Sequence, residues 1–244
     1  MGSEFVGNLL EGKLALLTGP AGNLGPIWLE CLKQLGAEVL ELGPPLDINR
    51  FDHLTEMALQ IEKYDVAPSI IINNAAVDNP PTHTTHTTDL KKNFWSDHQA
   101  IVNTNLTGAM NVAEVFLPMM IKAGQGGVVI NIGSILGNVA SDFRNYEPGF
   151  EKPVGYNVSK AGLIQLTRSI AVQYGRYGIR SVCISFAAVD TGKFQEPFSS
   201  KFKDCLPLGR FISPESLKMT LLYACCCPEL TGQQILVDAG YTAW

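Results

Sequence analysis

The chain has 244 residues, of which 46% are hydrophobic, enough to close a core without disulfide or metal staples. Its net charge of −5 gives no basic footprint for nucleic acid or an anionic membrane surface. No apolar run reaches the length of a membrane span, and the start has no charged segment followed by an apolar one, so neither a transmembrane helix nor a secretory signal is expected.

Residues Met1–Phe5 ("MGSEF") read as a cloning remnant, and the rest is read as one domain over 1–244. The first predicted strand, Leu14–Thr18, runs into "TGPAGNLG" and a helix over Pro26–Leu35. Such a turn points backbone N–H groups and a helix N-terminus at a phosphate. The glycines, Gly19, Gly22 and Gly25, are spaced three apart and do not fit the Gly-x-Gly-x-x-Gly fingerprint. A second strand, Glu38–Leu42, is followed by only "GPPLDINR" before a helix over Asp52–Tyr64. That is too short for a full parallel crossover, so one helix and one edge strand are expected to be missing there. A third strand, Ser69–Asn73, ends in "NNAA". The Thr-rich segment after it holds His83 and His86, too few ligands for a metal site. A long helix over Ser96–Ala123 contains Asn105. The fourth strand, Val128–Ile132, is followed by Ser134 at the edge where open α/β sheets bind ligands.

The helix over Gly155–Tyr177 begins with "YNVSK". Tyr156 and Lys160 stand four apart and share a helix face. An ammonium beside a phenol favours the phenolate and so makes a proton donor and acceptor for a carbinol–carbonyl pair. The alternative is an ordinary solvated Tyr and Lys. Strands over Ser181–Phe186 and Gln234–Val237 flank a final helix over Pro214–Cys226. Apolar strands alternating with helices give the fold class: α/β, a Rossmann-like doubly wound parallel sheet, single domain, with a shortened crossover after the second strand. The six cysteines form no C-x-x-C pair and read as reduced thiols of a cytoplasmic protein.

Taken together, "TGPAGNLG", "NNAA", "NTNLTG", "INIGS", "YNVSK", "YGRYGIR" and "TGQQILVDAGYTAW" resemble the short-chain dehydrogenase/reductase family from Lys13 to Trp244. The resemblance implies an oxidoreductase that moves a hydride between a nicotinamide cofactor and a secondary alcohol or ketone. Tyr156 would be the general acid/base, and Lys160 would lower its pKa and bond the nicotinamide ribose. Ser134 would polarise the substrate carbonyl, and Asn105 would hold a relay water. Cofactor contacts would come from Thr18, Gly19, Gly22, Asn23, Leu24, Gly25, Asp47, Ile48, Asn74, Ala75, Ala76, Ala187, Val189 and Thr191. It also implies a small-molecule substrate and a homodimer or homotetramer built through the helices of Asn105 and Tyr156.

Departures from the family pattern qualify this. Gly43 stands where NAD-preferring members carry an acidic residue, and Glu41, on the same strand face, is the candidate in its place. No Arg or Lys apart from Arg50 stands nearby to receive a 2′-phosphate, so NAD(H) is favoured slightly over NADP(H). Phe186-Ala187 replaces the Pro-Gly expected ahead of Thr191. The 21 residues between Ser134 and Tyr156 are a long insertion, read either as surface or as a substrate-shaping loop bearing Arg144, Tyr146 and Lys152. A bacterial subset with a similar insertion ends in Trp-Thr-Ala-Trp, and some of it serves surface-sugar and sialic-like acid pathways, which implies a polar, sugar-derived substrate. The segment after Thr191 matches the family's substrate lid and is basic through Lys193, Lys201, Lys203 and Arg210, either to attract an anion or as a solvated face. Two rivals remain open: a binding or regulatory module of the same fold, and a dehydratase or epimerase with bound cofactor.

Overall fold

Six short runs of buried aliphatic residues form the centre of the protein, in a computed structural model that describes residues 8–78, 98–148, 150 and 152–243. They are β1 (Leu14–Thr18), β2 (Glu38–Leu42), β3 (Ile70–Asn73), β4 (Gly127–Ile132), β5 (Ile179–Phe186) and β6 (Gln233–Val237). All pair in parallel, in the order β2-β1-β3-β4-β5-β6. Central β3 is buried throughout, as a strand covered on both faces must be.

The helices are α1 (Gly25–Gln34), α2 (Phe51–Glu62), α3 (Gly108–Ala123), α4 (Val154–Tyr174), α5 (Phe198–Asp204) and α6 (Pro214–Cys226). A helical stretch over 98–102 and a π-helical turn, Asn103–Thr107, lead into α3. Alternation along the strands sorts the core into two layers. Leu17, Ile70 and Ile72 pack with Trp28 and Leu32 of α1 and Leu217 and Leu221 of α6. Leu16 and Ile71 pack with Leu54 of α2 and with Val112 and Phe116 of α3.

The expected strands and helices are present with ends shifted by at most three residues, apart from the start of the long helix, where Ser96 and Asp97 lie outside the described residues. The shortened crossover is present too. β2 passes through α2 directly to β3, which pairs on the far side of β1, and among the described residues no strand is added beyond β2. β2 is therefore the sheet edge, and strand order reverses between β1 and β3, the place where such sheets hold ligands. The lid segment contains a helix, α5, that the sequence pattern did not predict. His83 and His86 lie outside the described residues. Among the described residues, no helix is long and apolar enough to cross a membrane, and no group of His, Cys, Asp and Glu side chains could hold a metal ion.

Candidate active site

At the C-terminal edge of the sheet, β1, β3, β4 and β5 open into a cavity of about 420 Å³. It is lined by Gly19, Gly22, Asn23 and Leu24 of the first turn, Asn74, Ala75 and Ala76 after β3, Ser134 after β4, and Tyr156 and Lys160 of α4. Ala187, Val189 and Thr191 after β5 close the opposite wall. Residues predicted from five separate stretches of sequence thus share one space.

The glycine turn is shaped by close approach. Gly19 has φ +63°, and a Cβ there would sit 2.7 Å from the Ala75 Cα. A Cβ on Gly25 would run into the Pro20 carbonyl. Helix α1 then opens on Leu24 with no side-chain cap and no acidic residue in its first turn, so its positive end stays open towards the cavity. This cradle fits the diphosphate of a dinucleotide.

Thr18 and Asn74 hold the cradle together, and Asn74 also lines the cavity. The Thr18 hydroxyl accepts from the backbone N–H of Asn74 (3.0 Å) and of Ala75 (2.9 Å). The Asn74 amide donates to the carbonyls of Thr18 (3.1 Å) and Gly19 (2.8 Å), and its oxygen accepts from Trp28 Nε1 (3.0 Å). Asn73 faces away, donating to Asn131 at 2.8 Å.

Lys160 is buried, and its ammonium donates to the Ile132 carbonyl at 2.7 Å. Burial pulls it down to about 8. The Tyr156 phenol is pushed up, first by burial and then by the Asp78 carboxylate, while a hydrogen bond to Ser134 opposes the rise. The Lys160 ammonium lies 5.6 Å from the centre of the Tyr156 ring. Ser134 takes extended backbone, and its Oγ accepts from Leu136 N–H at 3.1 Å. Asn105 sits in the π-turn with its side chain fully engaged. Its Oδ1 accepts from Val77 N–H (2.7 Å), and its Nδ2 donates to Val77 O (3.0 Å) and Ser159 Oγ (3.2 Å).

Several predicted cofactor positions lie outside the cavity. Asp47 turns back on its own loop, accepting from the Asn49 backbone and side chain at 2.9 Å each. Ile48 is buried in the layer under α3. Glu41 is exposed on the edge strand. Gly43 abuts the Pro20 ring, where a Cβ would lie 3.1 Å from the proline Cδ. Arg50 pairs with Asp52 at 2.5 Å. Phe186 and Ala187 continue the sheet: Phe186 packs on Trp28 at 5.9 Å, and Ala187 N–H donates to Val237 O.

The long insertion is a wall of the cavity. Tyr146 stacks on Phe150 (4.5 Å, 5°) and meets Phe198 of α5 at 5.2 Å. Tyr146 and Lys152 line the space, but Arg144 points out and pairs with Asp142 at 2.7 Å. None of Lys193, Lys201, Lys203 and Arg210 lines it; Lys193 donates to Asn23 at 2.6 Å, and Lys203 lies over the Phe211 ring. Sequence reasoning missed Asp78, Phe198 and Tyr241, whose approach depends on long-range packing. It also missed Gly137, where a Cβ would sit 2.9 Å from the Lys160 backbone.

A family model described as enoyl-(acyl carrier protein) reductase matches residues 27–242. The chain is 27% identical to a 3-oxoacyl-[acyl-carrier-protein] reductase of Thermotoga maritima, covering 95% of this chain and 98% of that protein. It is 24% identical to an NAD-dependent glycerol dehydrogenase of Listeria innocua, covering 96% and 95%. A short chain dehydrogenase from Leptospira borgpetersenii, solved with bound NAD+, superposes with a TM-score of 0.81 at 26% identity over 96% of this chain and 94% of that one.

Proposed function

The chain belongs to the short-chain dehydrogenase/reductase family, a family of oxidoreductases, and from that premise we propose that it moves a hydride between a nicotinamide cofactor and a secondary alcohol or ketone. The observation that carries this is the meeting of Ser134, Tyr156 and Lys160 in the cavity that begins at the glycine turn. When bound, the nicotinamide supplies hydride exchange; the chain supplies binding, orientation and a proton. The turn from Gly19 to Gly25 and the open end of α1 hold the diphosphate. Ser134 polarises the carbonyl oxygen. Tyr156 gives or takes the proton at that oxygen, with Ser134 and the Lys160 ammonium stabilising its phenolate. Asn105 positions Lys160 by tying the exit of β3 to Ser159.

The engaged Arg50 supports NAD(H) over NADP(H), since among the described residues near Gly43 no other basic side chain stands ready for a 2′-phosphate. The aromatic, polar-lined wall from Tyr146 to Lys152 supports a polar, sugar-derived substrate, in line with the sequence resemblance to the bacterial subset ending in Trp-Thr-Ala-Trp. Exposed Met110, Val158 and Val172 on α3 and α4 support self-association through those helices. The Pro20 ring against Gly43 favours a second reading, a binding module with a cut-back adenosine side.

Tyr156→Phe tests the proposal. Turnover should fall by about 10²–10⁴-fold, while NADH, binding more tightly than NADPH by fluorescence titration, keeps its affinity. Unchanged turnover refutes the assignment; binding of neither cofactor favours the module.

A further inference from the structure

The cavity holds a charged pair that proton relay does not require. The Lys152 side chain is only 5% exposed, and its Nζ meets the Asp78 carboxylate at 2.6 Å. The same ammonium lies 4.6 Å from the centre of the Tyr156 ring, and both residues line the cavity. The Asp78 carboxylate is 30% exposed, so the pair opens on the cavity, and burying the Lys152 ammonium beside the reacting centre costs desolvation that its partner only partly offsets.

We propose that Lys152 and Asp78 form a hydroxyl-reading subsite, and that the substrate is a neutral polyol or hydroxyketone with a hydroxyl close to the reacting carbon. The inference rests on the hydride-transfer reading and deepens it by naming the substrate class. An ammonium only donates and a carboxylate only accepts, whereas a hydroxyl does both. A substrate hydroxyl placed at the pair takes a hydrogen bond from Lys152 and gives one to Asp78. A substrate carboxylate or phosphate would gain Lys152 but meet Asp78 at the same point.

Among the described residues, the charged side chains lining the cavity are Asp78, Asp142, Lys152 and Lys160; Asp142 is taken up by Arg144 outside it, and Lys160 by the Ile132 carbonyl, which leaves the Lys152–Asp78 pair facing the substrate. The basic side chains of the lid, the other candidates for an anion site, do not reach it. A plain hydrocarbon group would desolvate the pair without replacing its water, which is unfavourable. The Tyr146 and Phe198 rings offer flat faces for the C–H groups of a polyol. Lys152 and Asp78 make and break no covalent bond in this scheme; they select the substrate and orient its carbinol towards Ser134 and Tyr156.

A matched three-carbon series separates the classes: glycerol, isopropanol and lactate, each with NAD+ and NADP+, with erythritol and sorbitol as larger polyols. The expected result for the full chain is a kcat/KM for its best polyol at least tenfold above those for isopropanol and lactate. In the double variant Asp78→Leu/Lys152→Met, which removes both charges of the pair together, that ratio should collapse towards one, whatever the absolute rates. Asp78→Asn, which keeps the side-chain shape, should lower it in the same direction. The proposal is overturned if isopropanol or lactate is preferred, if no polyol is oxidised, or if the preference survives in the folded variants. Tyr156→Phe distinguishes the two levels: polyol oxidation that persists in it refutes the hydride-transfer reading, whereas a preference that survives loss of the pair refutes only the subsite.

Discussion

Lys160→Met should make the protein more stable at neutral pH while removing its activity. Burial holds the Lys160 ammonium at about 8 against an ordinary 10.5. At about 1.4 kcal/mol per unit, keeping that charge inside costs the folded state about 3 kcal/mol at pH 7. Methionine fills a similar volume without the charge, but the Ile132 carbonyl loses its donor, at a cost of about 1 kcal/mol. The net gain is then about 2 kcal/mol. The sign of the pH dependence follows from the lowered folded-state value. Between the two values the unfolded chain binds more protons, so wild-type stability rises with pH from about 8 to about 10.5. Below that window both states carry the proton and the penalty is complete. Urea unfolding of both proteins at pH 7 and pH 10 measures it, and the difference between wild type and variant cancels every other titrating group. That difference should shrink by about 2 kcal/mol across the window. A constant difference would show that Lys160 is not held charged at a cost, and the reasoning would fail.

Two further outcomes test how the site is built. Gly137→Ala places a methyl 2.9 Å from the Lys160 backbone, so the turn after β4 must lift and carry Ser134 away from Tyr156; kcat should fall about tenfold or more with cofactor affinity kept, as steady-state kinetics and NADH titration would show. Arg180 donates to the carbonyls of Ala224 (2.9 Å), Cys225 (2.7 Å) and Leu230 (3.0 Å) and so satisfies the C-terminal end of α6. Arg180→Met should cost about 2–3 kcal/mol in chemical unfolding, with kinetics little changed.

Much of the fold is written locally. The strands are short aliphatic runs, β1 to β4 ended by Gly or Asn, and β1 and β2 fall at the predicted residues. The missing crossover could be read from "GPPLDINR", because no helix and strand fit in that length. Helix α5 could not: its Phe198 and Phe202 pack between Tyr146 and Tyr241, partners far away in the chain. Side-chain direction was also illegible. Thr18 and Asn74 belong to the glycine turn as expected, but their hydrogen bonds tie the two segments to each other, and of the two only Asn74 also lines the cavity. Asp47 has the expected residue type, yet its carboxylate closes an Asx turn on Asn49.

The same limit governs the chemistry. "YNVSK" announces a Tyr and a Lys on one helix face, but not the state in which the fold keeps them. Four residues of spacing predict that Lys160 lowers the Tyr156 pKa; in the folded chain, burial and Asp78 raise it, and the ammonium turns to the Ile132 carbonyl. A neutral phenol in a closed space, with two buried lysines within 6 Å of its ring centre, is an arrangement that packing alone would not select. Each lysine is pulled down by its surroundings, so the fold sustains both against their own desolvation. Lys160 has a motif to identify it. Lys152 has none, and its partner Asp78 lies 74 residues away. Its position beside the Tyr156 ring, and not any local pattern, is what connects the insertion to the choice of substrate.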